Sequence, residues 1–102
     1  MNYRNKKLLE FAKDCPVCMC CDEPNDGTVV AAHSNQLRDG KGMGIKAHDY
    51  RIAYLKFEHH MEIDQGKNLS KQEKIDRFEY SHRKSIGWLF ETGRIVASGA
   101  KR

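Results

Sequence analysis

Leu55-Lys-Phe-Glu-His-His-Met-Glu-Ile-Asp64 is the stretch on which the fold of this chain turns. Two histidines and two carboxylates fall within the six residues from His59 to Asp64. On a helix, His60 and Asp64 stand four apart and leave the same face. An imidazole nitrogen and a carboxylate oxygen on one face are able to share a divalent cation. The same spacing also suits an ordinary helix pair worth roughly a few tenths of a kcal/mol. Glu62 points away from His60 on such a helix and reads as a solvated or capping carboxylate.

Two strands are predicted upstream of this segment. Tyr50-Arg-Ile-Ala-Tyr-Leu55 alternates as a strand does, and Thr28-Val-Val-Ala-Ala-His33 is a β-branched run ending on a histidine. Paired antiparallel, they make a long-looped hairpin that brings His33 towards the helix carrying His60. The loop from Ser34 to Lys46 holds Gly40, Gly42 and Gly44 and carries Arg38, Lys41 and Lys46. It is not a phosphate-binding P-loop, because Gly-Lys is not followed by Ser or Thr. Its basic residues, with Arg51, suit either a solvated loop or contacts to a phosphate backbone. His48 reads as a loop residue without a role.

Cys15-Pro-Val-Cys18-Met-Cys20-Cys21 precedes the hairpin and contains two overlapping Cys-x-x-Cys pairs. Such a turn offers two thiolates to one metal, and a tetrahedral site needs two more ligands. Ahead of the cysteines, Leu8, Leu9 and Ala12, with Phe11 beside them, predict a helix over 3–13, stopped by Pro16. Behind the hairpin, the short helix ends near Gly66. Ser70-Lys-Gln-Glu73 is a capping box opening a long helix over about 70–92, with Gly93 as its stop. Ile75, Phe78, His82, Ile86 and Leu89 form its apolar stripe, which makes His82 a core-edge histidine. Trp88 and Phe90 read as core aromatics. Gly87 weakens this helix and suggests a tight contact with the hairpin. Arg94-Ile-Val predicts a short edge strand, and Ala97 to Arg102 a frayed tail.

The whole therefore reads as one α+β domain over 1–102, with its core at 15–66 and no repeats or linkers. A chain of 102 residues with 39 % apolar content has a small core that a metal staple would help. The net charge of +4 is a mild basic bias, compatible with a polyanion partner without demanding one. No run is apolar enough for a signal peptide or membrane span, so a cytoplasmic location is expected. There, four cysteines crowded between 15 and 21 are metal ligands before they are disulfides.

The order strand, His, loop, strand, His-bearing helix is that of a ββα-metal fingerprint. Val29-Val-Ala-Ala-His33-Ser-Asn-Gln-Leu-Arg-Asp-Gly-Lys-Gly-Met-Gly-Ile-Lys-Ala-His-Asp49, Glu62-Ile-Asp64-Gln-Gly and Arg83-Lys-Ser-Ile-Gly-Trp-Leu-Phe resemble the small phage and prophage HNH nucleases of the YbcO-like group. The resemblance covers roughly residues 18–96. It implies His33 as the general base and Asp49 as the residue orienting it. It implies His60 as a ligand of a catalytic divalent cation (Mg²⁺, Mn²⁺ or similar), with Asp64 as the second ligand by its helical spacing.

The chain departs from that pattern twice. Ala32 stands where many HNH proteins carry another metal ligand, so either the ligand set is smaller or His33 itself binds metal. Lys56 and His59 replace the second cysteine pair of the group. A structural zinc would then be held by Cys18, Cys21, His59 and one more ligand, Cys15 or Cys20. The implied activity is metal-dependent hydrolysis of DNA phosphodiesters, with Arg38, Lys41, Lys46 and Arg51 on the flanking phosphates. The alternative is a zinc-knuckle nucleic-acid-binding module without catalysis, and a third reading is a protein-interaction domain that kept only the fold.

Overall fold

Asn5, in extended conformation, opens the first helix by accepting from the amides of Lys7 and Leu8. In the computed structural model, which describes residues 2–98, this helix α1 spans Lys6–Glu10 and runs on as a 3-10 turn over Phe11–Asp14. The helix predicted from residue 3 thus starts later. Cys15 is extended (φ −67°, ψ 122°), as the ring of the following Pro16 requires. The chain then folds back on itself between Val17 and Pro24, closed by the Cys18 amide donating to the Glu23 carbonyl at 2.8 Å. Asp22 takes the left-handed conformation that this reversal needs, with φ at 63°.

Strand β1 (Val29–His33) pairs antiparallel with β2 (Ile52–Lys56), Val29 opposite Lys56 and His33 opposite Ile52. These two strands and the helices α1, α2 (Phe57–Gln65) and α3 (Lys71–Glu91) make a small α+β fold. Strand β2 shows no inside–outside alternation: Ile52 to Leu55 are all fully buried. Ile52 and Tyr54 join Leu8, Ala12, Cys15, Met19 and Leu89 in one apolar cluster. Ala53 and Leu55 join Cys18, Ile63 and Phe78 in another. Successive residues of a strand point to opposite faces, so covering both faces buries the whole run.

Helix α3 lies along the outer edge of β2. His82 Nδ1 donates to the Ile52 carbonyl at 2.7 Å, and the Tyr54 amide donates to Ser85 Oγ at 3.0 Å. The Met19 amide takes the Tyr54 carbonyl at 2.9 Å. The open edge of a two-stranded sheet is thereby satisfied by side chains and a loop instead of a third strand. This explains why Ser85 sits fully buried in the middle of the stripe read as apolar; Ser81, equally buried, bonds back to the Arg77 carbonyl of its own helix at 2.8 Å. Burial depresses the pKa of His82, and its ring stacks on Phe78 with centroids 5.9 Å apart.

The capping box forms as read: Ser70 and Glu73 exchange hydrogen bonds between side chain and backbone. At the other end Gly93 has φ of 74°, and the amides of Arg94 and Ile95 both return to the Leu89 carbonyl. Those bonds use the backbone that the predicted edge strand at Arg94 would have needed, and no strand forms there. The Arg94 guanidinium instead lies 4.4 Å from the Trp88 ring centroid. Phe90 is half exposed, so it is not the core aromatic it was read as. Nothing lies within 4 Å of where a Cβ would stand on Gly87, which removes the close contact proposed for it. Most of the tail predicted from Ala97 lies outside the described residues. No helix among those residues is long and apolar enough to cross a membrane.

Candidate functional site

His33 ends β1, and its Nε2 meets Asp49 Oδ1 at 2.8 Å. Asp49 is only 2 % exposed and is fastened from the start of the chain. The Asn5 amide donates to Oδ2 at 2.6 Å, and Arg4 Nη1 to Oδ1 at 3.2 Å. Burial alone would raise the pKa of this carboxyl; His33, the Asn5 amide and Arg4 outweigh it and hold the pKa below the usual range. An ionised Asp49 accepting from Nε2–H leaves Nδ1 of His33 as the basic nitrogen.

Helix α2 contributes His60 and Asp64, one turn apart. With His33, Asn35, Lys41 and Lys46 they line one cleft of 240 Å³. Asn35 donates to Asp64 Oδ1 at 2.5 Å, tying the helix to the segment after β1. The ligating atoms of His33, His60 and Asp64 do not gather within 4.8 Å of one another, whereas those of Cys18, Cys21 and His59 do.

The four cations expected on phosphates separate into two kinds. Lys41 and Lys46 face the cleft. Arg51 does not: its guanidinium lies between Asp39 (2.8 Å) and Glu79 (2.6 and 2.7 Å). Asp39 in turn accepts from the buried Ser34 hydroxyl at 2.5 Å, beside His33. Arg51 is therefore a structural cation here, a correction to its expected phosphate role. Two carboxylates neutralise its charge, and its side chain is only 17 % exposed. Arg38 donates to the same Glu79 at 2.7 Å but stays largely exposed, on the rim of a neighbouring, mostly apolar cleft with Lys71 and Lys74.

The second cluster forms where the chain reversal after Pro16 meets the start of α2. Cys18 is fully buried; its sulfur accepts from the Lys56 amide at 3.3 Å and meets His59 Nδ1 at 3.3 Å. Burial would raise its pKa, but these donors, with the amides of Cys20 and Cys21, bring it below the ordinary thiol value. Desolvation, the Glu23 carboxylate and the neighbouring Cys18 push the Cys21 thiol up to about 12. Two thiols and an imidazole around one point are close enough to hold a metal ion, and the donor types are those of structural sites.

Cys15 is not part of this cluster, contrary to its expected role as a zinc ligand. It is buried among Leu8, Met19 and Tyr54 and donates its S–H to the Val17 carbonyl at 3.1 Å. Cys20 packs against the apolar group of Ile63 and Phe78. Burial raises both thiols, so each behaves as a small apolar side chain. The Lys56 ammonium stands among Glu58 (3.5 Å), Asp26 (3.6 Å) and Glu23 (3.8 Å). Those carboxylates keep it protonated against the cost of desolvation, and a protonated amine has no lone pair for a metal.

Arg4, Asn5 and Asn35 escaped sequence reasoning, and nothing in the local pattern of Arg4 or Asn5 marks them. Only Asn35 carried a signal, as a polar residue two places after His33. No known protein family, curated protein or solved structure matches the chain.

Proposed function

We propose that this protein is a divalent-metal-dependent endonuclease that hydrolyses DNA phosphodiester bonds on an HNH-like ββα frame. The observation that carries this reading is the cleft in which the Asp49-bound His33 stands with His60, Asp64 and two lysines. His33 is positioned as a general base. Asp49 fixes the ring through Nε2 and stabilises the imidazolium that forms when Nδ1 takes a proton from attacking water. Lys41 and Lys46 bind the phosphates on either side of the scissile one and offset their charge. His60 and Asp64 would hold the cation, and the Asn35 amide restrains the Asp64 carboxylate. A cation bound there supplies charge neutralisation at the phosphate and the leaving oxygen.

Supercoiled plasmid incubated with Mg²⁺ or Mn²⁺ tests the proposal. The wild type nicks it, and His33→Ala and His60→Ala fail to do so while keeping the wild-type circular dichroism spectrum. Variants as active as the wild type sink the reading.

A second reading is a zinc-knuckle module that binds nucleic acid without cutting it. It is favoured by the cysteine cluster being drawn closer together than His33, His60 and Asp64 are. It predicts DNA affinity that falls steeply with salt, and no cleavage with any divalent ion.

A further inference from the structure

The Cys18, Cys21 and His59 cluster offers three donors, and a tetrahedral metal takes four. We propose that Glu23 supplies the fourth, making a Cys₂-His-carboxylate centre for zinc or a similar cation. Four observations carry it.

Cys18 and His59 stand 3.3 Å apart, and Cys21 and Glu23 stand 3.2 Å apart. With metal–sulfur bonds of about 2.3 Å and metal–nitrogen or –oxygen bonds of about 2.0 Å, a sulfur-to-nitrogen or sulfur-to-oxygen edge of a tetrahedron is about 3.5 Å. Both contacts are close to that edge length. Glu23 also lies within 4.8 Å of His59, so its carboxylate reaches both halves of the cluster.

The backbone fixes residue 23 at this place. Cys18 and Glu23 close the chain reversal through the 2.8 Å bond from the Cys18 amide to the Glu23 carbonyl. The side chain beyond is 55 % exposed, so it turns toward Cys18 without disturbing packing.

The rival donors are accounted for. Cys15 and Cys20 are packed into apolar surroundings. Glu58 also neighbours His59, but its carboxylate makes no hydrogen bond to either cysteine, whereas Glu23 meets Cys21 at 3.2 Å, and the Glu58 side chain is 67 % exposed.

Charge completes the argument. Two thiolates, one carboxylate and a neutral imidazole leave a divalent centre with one negative charge. The Lys56 ammonium, 3.8 Å from Glu23, offsets it. Loading releases the two thiol protons to solvent, and no oxidant or reductant is required.

Titration of the metal-free protein with Co²⁺ under reducing conditions tests this assignment, because sulfur-to-cobalt charge-transfer bands report only on thiolate-bound metal. The wild type is expected to bind one such ion, with the intense visible bands of four-coordinate cobalt. Glu23→Gln is expected to weaken binding by at least about 10-fold, the lower end of what losing even an outer partner costs such sites. It is also expected to change the visible bands, since water replaces a carboxylate. Glu58→Gln is expected to leave affinity and bands near wild type, and Cys18→Ser to remove at least about half of the charge-transfer intensity, one of the two thiolates being lost. The assignment is overturned by a wild type without those bands, by Glu23→Gln matching wild type, or by Glu58→Gln carrying the loss instead. None of these readouts depends on DNA cleavage, so they stand or fall apart from the nuclease proposal.

Discussion

Replacing Arg51 with methionine separates a structural cation from a phosphate ligand. Methionine keeps an apolar stem over the Phe78 ring, which lies 5.7 Å from the guanidinium carbon. It removes the charge between Asp39 and Glu79. Breaking a buried ion pair by deleting one partner costs about 3–5 kcal/mol. The side chains of Arg51 and Glu79 are 17 % and 18 % exposed, and Glu79 retains Arg38, so solvent and the second cation reduce that to about 2–3 kcal/mol. Unfolding entropy of about 2.1 cal/mol/K per residue gives roughly 0.21 kcal/mol/K for 102 residues, so Tm should fall by about 10–14 °C at pH 7.

The loss should depend on pH. Although burial opposes it, Arg51 holds the pKa values of Asp39 and Glu79 below their ordinary values of 3.8 and 4.5. Carboxyls with depressed folded values contribute stability that is full above those ordinary values. It is lost as pH falls through the lowered folded ones. Thermal melts followed by circular dichroism should therefore lie closer together for wild type and Arg51→Met at pH 3 than at pH 7. A Tm change under about 3 °C at pH 7, or an equal gap at both pH values, refutes the reasoning. So does an unchanged melt with a reduced salt dependence of DNA binding, which would return Arg51 to the phosphates.

Gly87→Ala should stabilise the protein by about 1 kcal/mol, raising Tm by roughly 4–8 °C, because a Cβ there meets nothing and helix α3 gains propensity; an unchanged or lower Tm contradicts this. His82, its pKa depressed mainly by burial, contributes full stability above its ordinary value of 6.5, and loses it as pH falls below that value toward the lowered one. His82→Gln should flatten the urea-stability profile between pH 6.5 and 5, and a parallel profile would argue against it. Lys41→Ala with Lys46→Ala should lower the slope of log binding constant against log salt by about 1.8, at about 0.9 per phosphate contact on duplex DNA; an unaltered slope in fluorescence anisotropy titrations removes both lysines from the interface.

What was legible in the chain was local. The capping box at Ser70 and Glu73, the stop at Gly93, the hairpin and the helix carrying His60 and Asp64 each depend on residues a few places apart. The cysteine pair Cys18 and Cys21 was legible for the same reason, whereas His59, far along the chain, was joined to it only through the family resemblance. What sequence could not reveal depends on pairings across the fold. Arg51 looks like any exposed arginine until Asp39 and Glu79 are brought to it. Cys15 looks like a ligand until Pro16 turns the chain and Leu8 covers the sulfur. Ser85 of α3 interrupts an apolar stripe for a reason that lies in another element: it meets the bare backbone edge of β2. A phosphate role for Lys41 was read from its place in a basic loop, and a base role for His33 from the family resemblance.

The fastening of Asp49 by Arg4 and Asn5 has a practical corollary. Asn2 also clasps the carbonyls of Gly40 and Lys46, and Arg4 that of Ala47. A purification handle or carrier protein placed ahead of Asn2 therefore tugs on the same clasp that steadies the His33 ring. Preparations differing only in that handle should differ in how firmly the imidazole is held.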